Sequence, residues 1–387
     1  MGIIPRKPPL ALVFDIGSAS VGAAIFEIGK NKVPKILYSI REPILLLPTL
    51  DLEQLLSLVF KTLDSVLGKA AKGGVGAPSM FFCVLGPTWH ASQTRIVRYA
   101  KNTNFAFTTK LADELIQKEI HLFKEEQSPQ YLEEGEMSVP IELKSLKIAL
   151  NGYAVEHPLD RKAKELEMTI LVSIAGKFFL EKVEAAVREH FHRDALKFST
   201  LLIATYTIVR DLYLLPNFIM VDIGGELTAI ALVKHDTLAE SATFPMGKNF
   251  IIRETSKALG TSLDETRSLI SLYQGGHADE RVGARLAKAI GSARTEWLNH
   301  FEETLAHLSN DISIPSDIFI SAGEELAGFF AETIQNERLS QYTLTDSKFR
   351  IKFLNVDALY GKVEFMGNAR HDFPLAVEAI YINRYLC

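Results

Sequence analysis

The stretch LALVFDIGSASVGAAIFEI, residues 10–28, decides how the rest of the chain is read. An apolar run from Leu10 to Phe14 stops at Asp15-Ile16-Gly17-Ser18, and a second run, Val21 to Ile28, follows at once. The pattern is strand, tight polar turn, strand. It recurs in FIMVDIGGELTAIALVK, residues 218–234, where Asp222-Ile223-Gly224-Gly225 separates two apolar runs. A strand ending in Asp-x-Gly suits phosphate chemistry. Glycine permits the turn and lets backbone N–H groups come close to an anion. The aspartate at the strand end can hold Mg²⁺, usually through water. One such motif is an ordinary turn. Two of them, followed by Ser321-Ala322-Gly323 leading into a helix, point to a nucleotide.

Working outward, a third strand covers Lys35 to Ser39, and Asp51 opens a helix with Gln54 as capping-box partner. Leu55, Val59, Leu63 and Val66 keep helical spacing on one face of it. Residues 80–175 have another texture. Strands are expected at Met80–Leu85, Ser145–Leu150 and Glu167–Ile174, with a helix from Lys110 to Glu126 and an acidic loop at Glu133–Glu136. This reads as a small α+β insertion. Helices Phe178–Phe191 and Thr200–Leu212 precede the second hairpin, and largely helical sequence runs from Lys248 to Asn310. A strand at Ile318–Ile320, one near Arg350–Phe353 and a closing helix near Pro374–Arg384 complete the chain. Trp297 and Phe301, four apart, read as core, and His190-Phe191-His192 as a helix end.

With 387 residues, 47% hydrophobic and 23% charged, the chain has material for more than one globular unit. Its 42 basic and 47 acidic side chains give a net charge of −5, which excludes the basic footprint of a nucleic-acid binder. Two cysteines, Cys83 and Cys387, make no disulfide framework and fit a reducing, cytoplasmic setting. Residues 1–9 lack the apolar core of a signal peptide. The most apolar segment, Leu201–Leu215, carries Arg210 and Asp211 and fits a buried helix better than a membrane span.

The two Asp-x-Gly hairpins, the glycine turn at Gly323, and the insertion with Leu150-Asn151-Gly152-Tyr153 and its following Pro158 together resemble the FtsA/PilM branch of the actin/Hsp70 ATPase superfamily. The resemblance implies an α/β, two-lobed actin-like (ribonuclease H-like) fold with a small α+β insertion in the first lobe. The expected units are residues 1–79 (first lobe), 80–175 (insertion), 176–216 (return and connecting helix), 217–340 (second lobe, with 247–312 as its outer part) and 341–387 (closing elements). It implies ATP or ADP with Mg²⁺ in the interlobe cleft. Asp15, Gly17, Ser18 and Ser20 would form the first phosphate loop, and Asp222, Gly224, Gly225 and Thr228 the second. Gly323, Glu324 and Arg267 would face the adenosine, and Asp15 and Asp222 the Mg²⁺, through water. The implied role is a cytoskeletal scaffold of cell division. It would self-associate into filaments and recruit membrane-associated division or pilus proteins at the inner face of the membrane, without inserting into it. A PilM-like pilus component is the alternative.

The chain also departs from that pattern. Glu226 follows the second loop, where a negative charge beside phosphates needs Mg²⁺ or a basic partner. Ala229 and Glu324 replace other expected residues. Between His190 and Gly225 there is no Glu or Gln to orient water, and Asp194, Thr200 and Thr205 are the nearest substitutes. Hydrolysis is therefore expected to be slow at most. A sugar- or acetate-kinase-type enzyme and a degenerate adaptor without nucleotide binding are the competing expectations.

Overall fold

The computed structural model describes residues 8–29, 33–126, 137–308, 314–323, 325–336 and 349–387. Among these residues the chain forms three sheets. The first hairpin is β1 (Leu10–Ile16) and β2 (Ser20–Glu27), antiparallel, and β3 (Lys35–Pro43) extends it. Helix α1 (Leu52–Ala71) leads to β4 (Met80–Leu85), which pairs parallel to β1. Asp51 caps α1 by accepting from the Gln54 N–H at 2.8 Å.

The insertion follows as β5 (Ala91–Ala106), α2 (Thr109–Glu126), β6 (Ser138–Leu150), β7 (Tyr153–Ala154) and β8 (Lys162–Gly176), in sheet order β5-β8-β6-β7. The chain returns through α3 (Lys177–Phe191), β9 (Lys197–Thr200) and α4 (Leu201–Tyr213), for which Thr200 is the N-cap. The second hairpin, β10 (Phe218–Ile223) and β11 (Thr228–Lys234), is followed by β12 (Thr237–Phe244). Next come α5 (Lys248–Leu259), α6 (Leu263–Gln274), α7 (Glu280–Leu308), β13 (Asp317–Ala322), α8 (Ala327–Asn336) and β14 (Arg350–Phe353). β15 (Glu364–Phe365) and α9 (Phe373–Tyr381) close the chain against the first sheet.

The first sheet runs β15-β3-β2-β1-β4-β9 and the second β12-β11-β10-β13-β14. In both, the Asp-x-Gly strand is central, paired antiparallel with its hairpin partner and parallel with the strand beyond. A strand so placed is covered on both faces, which is why β1 and β10 read as continuous apolar runs. Helices α4 and α9 lie in a core shared by the two lobes. Tyr206, Ile208 and Val377 pack there with Val13 and Phe82 of the first lobe and Phe218 and Phe319 of the second. The other faces of the two sheets have separate cores, around α1 and α3 in the first lobe and around α5, α7 and α8 in the second.

Strands β5, β9 and β12 were not expected. β5 has α2 on one face only, and most of its residues are partly or fully exposed, so it lacks an apolar signature. β6 and β8 start well before their expected apolar ends for the same reason. The acidic loop at 133–136 lies outside the described residues. Trp297 and Phe301 are buried core, stacked at 5.2 Å, and His192 ends α3 in the left-handed conformation. No described helix is long and apolar enough to cross a membrane.

Candidate functional site

Both expected phosphate loops sit at the ends of central strands and meet where the two lobes adjoin. In the first, the Gly17 N–H donates to the Ser20 carbonyl at 3.1 Å, closing the turn. Asp15 is 7% exposed, and its carboxylate is covered by Arg41 from the end of β3. Arg41 donates to both Asp15 oxygens, at 2.9 Å and 2.5 Å, and to Ser20 Oγ at 3.0 Å. The same guanidinium donates through Nε and Nη2 to both oxygens of Asp372, at 2.6 Å and 2.9 Å. Asp372 is in turn the N-cap of α9. Burial works against the charge on Arg41, and the two aspartates more than offset it. Gly22 makes the arrangement possible, since a Cβ there would lie 2.6 Å from Arg41 Nη2.

The second loop is equally engaged. The Gly224 N–H donates to the Leu227 carbonyl, and the Gly224 and Gly225 carbonyls accept from the N–H groups of Lys248 and Asn249, each at 2.9 Å. Gly247 allows α5 this close approach, because a Cβ there would lie 2.3 Å from the Gly225 carbonyl oxygen. The two loops touch directly. A Cβ on Gly225 would lie 2.8 Å from Ala19 N, and the Glu226 N–H donates to Ser18 Oγ at 2.9 Å. Thr228 is buried, with its hydroxyl donating to the Met246 carbonyl at 2.6 Å.

Glu226, the residue whose charge had no partner in sequence, is 5% exposed and neutralised from α5. Asn249 Nδ2 and Arg253 Nη1 donate to its Oε1 at 2.7 Å and 3.2 Å, and Arg253 Nη2 donates to Oε2. Arg253 also reaches the Leu47 carbonyl at 3.4 Å. Leu46 beside it is buried in the core of the second lobe, so the segment after β3 ties the lobes together.

At the expected adenosine turn, Lys248 Nζ lies over Gly323, 3.3 Å from where a Cβ would stand, and 3.9 Å from Glu325. Burial lowers the Lys248 pKa, as do the charges of Arg267 and Arg41, while Glu325 acts the other way. The Arg267 Nε is buried with no hydrogen-bond partner among the described residues. Arg267 lines a cavity of about 490 Å³ with Arg253, Ile44 and Leu263, set apart from both glycine loops. Glu324 lies outside the described residues.

These groups do not fit a Mg²⁺–nucleotide in this arrangement of the lobes. A hydrated Mg²⁺ at Asp15 would meet the guanidinium of Arg41, and the N–H groups of Gly17, Gly224 and Glu226 already donate within the protein. The loops also leave no gap between Ala19 and Gly225. On the Asp15 side, the position expected for Mg²⁺ holds an ion pair with Arg41. Sequence reasoning missed Arg41, Arg253 and Asp372. Arg41 stands beside Glu42 near the end of β3, and nothing in that local sequence marks it as the partner of Asp15.

Asp222 is pushed up to about 6 by burial, with the Ser321 hydroxyl acting the other way and the Asp15 charge adding to the rise. A carboxyl raised in the folded state binds its proton more tightly folded than unfolded. Its contribution is intact below the ordinary aspartate range and is lost as pH rises towards 6. Asp222→Asn should therefore gain on the native protein between pH 4 and 6, by about 2–3 kcal/mol, and hold that gain above pH 6. Urea denaturation across this range measures it, and parallel pH curves would contradict it.

No protein-family model and no curated protein matches the chain. Solved structures do match it. One, from a PilM-PilN type IV pilus biogenesis complex, has a TM-score of 0.60 at 14% identity, covering 98% of this chain and 99% of that one. The ethanolamine utilization protein EutJ from Carboxydothermus hydrogenoformans covers 98% of this chain and 91% of its own at 10% identity, with a TM-score of 0.44. A protein of unknown function from Bacteroides thetaiotaomicron, described as having an actin-like ATPase fold, covers 98% and 99% at 9% identity, also with a TM-score of 0.44. The fold is mixed α/β, two-lobed and actin-like. An FtsA-type branch is not singled out.

Proposed function

We propose that this chain is a PilM-like scaffold of a pilus-type assembly machine, an actin-like shell that recruits partner proteins and does not turn over nucleotide. The observation that carries this reading is the internally neutralised cleft, where Arg41 covers Asp15 and Arg253 covers Glu226. Two further points support it. No Glu or Gln lies between His190 and Gly225 to orient water, and the likeness to the PilM chain extends over both lobes and the insertion. The protein acts on the inner face of the membrane through its partners.

Deleting the gene in its own host tests the role. Loss of surface pili with normal division is expected, whereas chains of undivided cells with normal pili would return the division role. Purified protein tests the cleft. A ligand at about 100 times its Kd would stabilise the fold by about 2.7 kcal/mol, so ATP with Mg²⁺ at millimolar concentration should leave the melting temperature unmoved. A shift that Asp15→Ala removes would instead favour a nucleotide latch.

A further inference from the structure

The segment after β3 crosses from one lobe to the other within a few residues. Ile44 is buried in the core of the first lobe and Leu46 in that of the second, while Leu45 between them is 66% exposed. Leu45 and Pro48 form one wall of the cavity of about 490 Å³ that Arg267 lines. The opposite wall is one face of α5, carrying Arg253 and Lys257, together with the start of α6 at Leu263 and Asp264. Among the described residues, neither glycine loop lines it, nor do Gly323 and Lys248. Its volume is that of an ordinary small-molecule site.

Of the three cations in the lining, two are already engaged. Arg253 donates to Glu226 and to the Leu47 carbonyl, and Lys257 donates to Glu254 Oε1 at 2.6 Å on its own helix. Arg267 is different. Its Nε is buried without a hydrogen-bond partner, and it forms no ion pair among the described residues. Buried polar atoms are normally satisfied, so Arg267 lacks an acceptor. Its charge also reaches Lys248 and disfavours the ammonium there, so this corner of the second lobe holds surplus positive charge. The one acid in the lining, Asp264, is exposed in the first turn of α6, where the helix dipole favours it.

We propose that this cavity binds a small organic oxyanion, a carboxylate or phosphate monoester carried on a short apolar body. The guanidinium of Arg267 donates to the oxyanion, since its planar fork matches both head groups. The start of α6 adds N–H groups at Leu263 and Asp264, which a first helical turn leaves without intrahelical acceptors. The apolar body lies against Leu45 and Pro48. A nucleotide would present its polar base and ribose to that wall, where these two side chains offer them no hydrogen bond. A ligand so held joins the segment after β3 to α5 and α6 and steadies the lobes against each other. Its role as an effector of partner recruitment rests on the scaffold reading above, while the site and its chemistry do not.

Calorimetry on the full chain tests the site, with hexanoate and hexyl phosphate as probes and 1-hexanol, inorganic phosphate and ATP with Mg²⁺ as comparisons. At least one of the two organic anions should bind, roughly tenfold or more tighter than hexanol or phosphate, and the better of the two identifies the head group. Arg267→Gln should weaken that binding by roughly tenfold or more. Leu45→Glu changes an exposed residue and should weaken it too, by placing a negative charge at the wall. The melting temperature of each variant without ligand shows that it is folded. The bound anion should also slow hydrogen exchange at residues 44–47 and 263–267. Binding of neither anion, binding unchanged in either variant, or hexanol binding as tightly as the anions would overturn the site. Displacement of the anion by ATP with Mg²⁺ would give the cavity to a nucleotide and overturn it as well. The pilus phenotype judges the scaffold role separately, so a failed site and a failed scaffold give different results.

Discussion

Arg41→Ala is expected to lower the stability of the protein by about 3–5 kcal/mol, the usual cost of breaking a buried ion pair from one side. The guanidinium bridges Asp15 and Asp372, and Glu378 lies in the same buried neighbourhood on α9. Both oxygens of Glu378 are buried without a hydrogen-bond partner among the described residues. Burial pushes its pKa well up, the Asp15 and Asp372 charges add to that, and Arg41 opposes them. Removing Arg41 leaves three acids facing one another with no cation. Arg41→Lys should recover only part of the loss, because one ammonium cannot make the paired contacts to two carboxylates that the planar fork makes. The alanine variant should regain stability on acidification, since protonation relieves buried unpaired carboxylates. Denaturant unfolding at neutral and acidic pH reads both effects. If Arg41→Ala were as stable as the native protein and gained a response to Mg²⁺, Asp15 would be a metal ligand and the sealed-cleft reading would fail.

Much of the architecture could be read from residues 10–28 and 218–234, because a central strand covered on both faces must be apolar throughout and its polar turn then stands out. The same rule explains what could not be read. β5 and β12 lie at sheet edges, and β5 in particular has one bare face, so neither has a period that separates it from loop. The candidate site was legible as positions and illegible as chemistry. Asp15, Gly17, Ser18, Gly224 and Gly225 do line the two facing turns, as their spacing implied. What those turns bind depends on Arg41, Arg253 and Asp372, which are distant in sequence from the groups they meet. Glu226 illustrates the limit. Its charge demanded a partner, and the sequence could say so, but only the fold brings the second turn of α5 beneath it.

Glu142→Ala should carry the other large effect, about 3 kcal/mol, at the joint between the insertion and the first lobe. Glu142 lies near the start of β6, and its carboxylate is the meeting point of three elements outside the insertion's sheet. It accepts from Ser199 Oγ at 2.8 Å, Thr200 Oγ1 at 2.8 Å, the Thr200 N–H at 3.1 Å and Tyr381 Oη at 3.3 Å. Burial raises its pKa, and these donors hold it down in part. Alanine leaves the hydroxyls of Ser199, Thr200 and Tyr381 and the Thr200 N–H without their acceptor, and each lost partner costs the donor its desolvation. Glu142→Gln keeps the shape and one acceptor oxygen, so it should lose less. Because α4 belongs to the core shared by both lobes, the damage should spread along that helix. Hydrogen exchange should rise at Thr200 to Ile203 and along β6, while β10 and β11 of the second lobe stay protected. Unchanged exchange at the start of α4 would mean that the insertion is held by its apolar contacts alone.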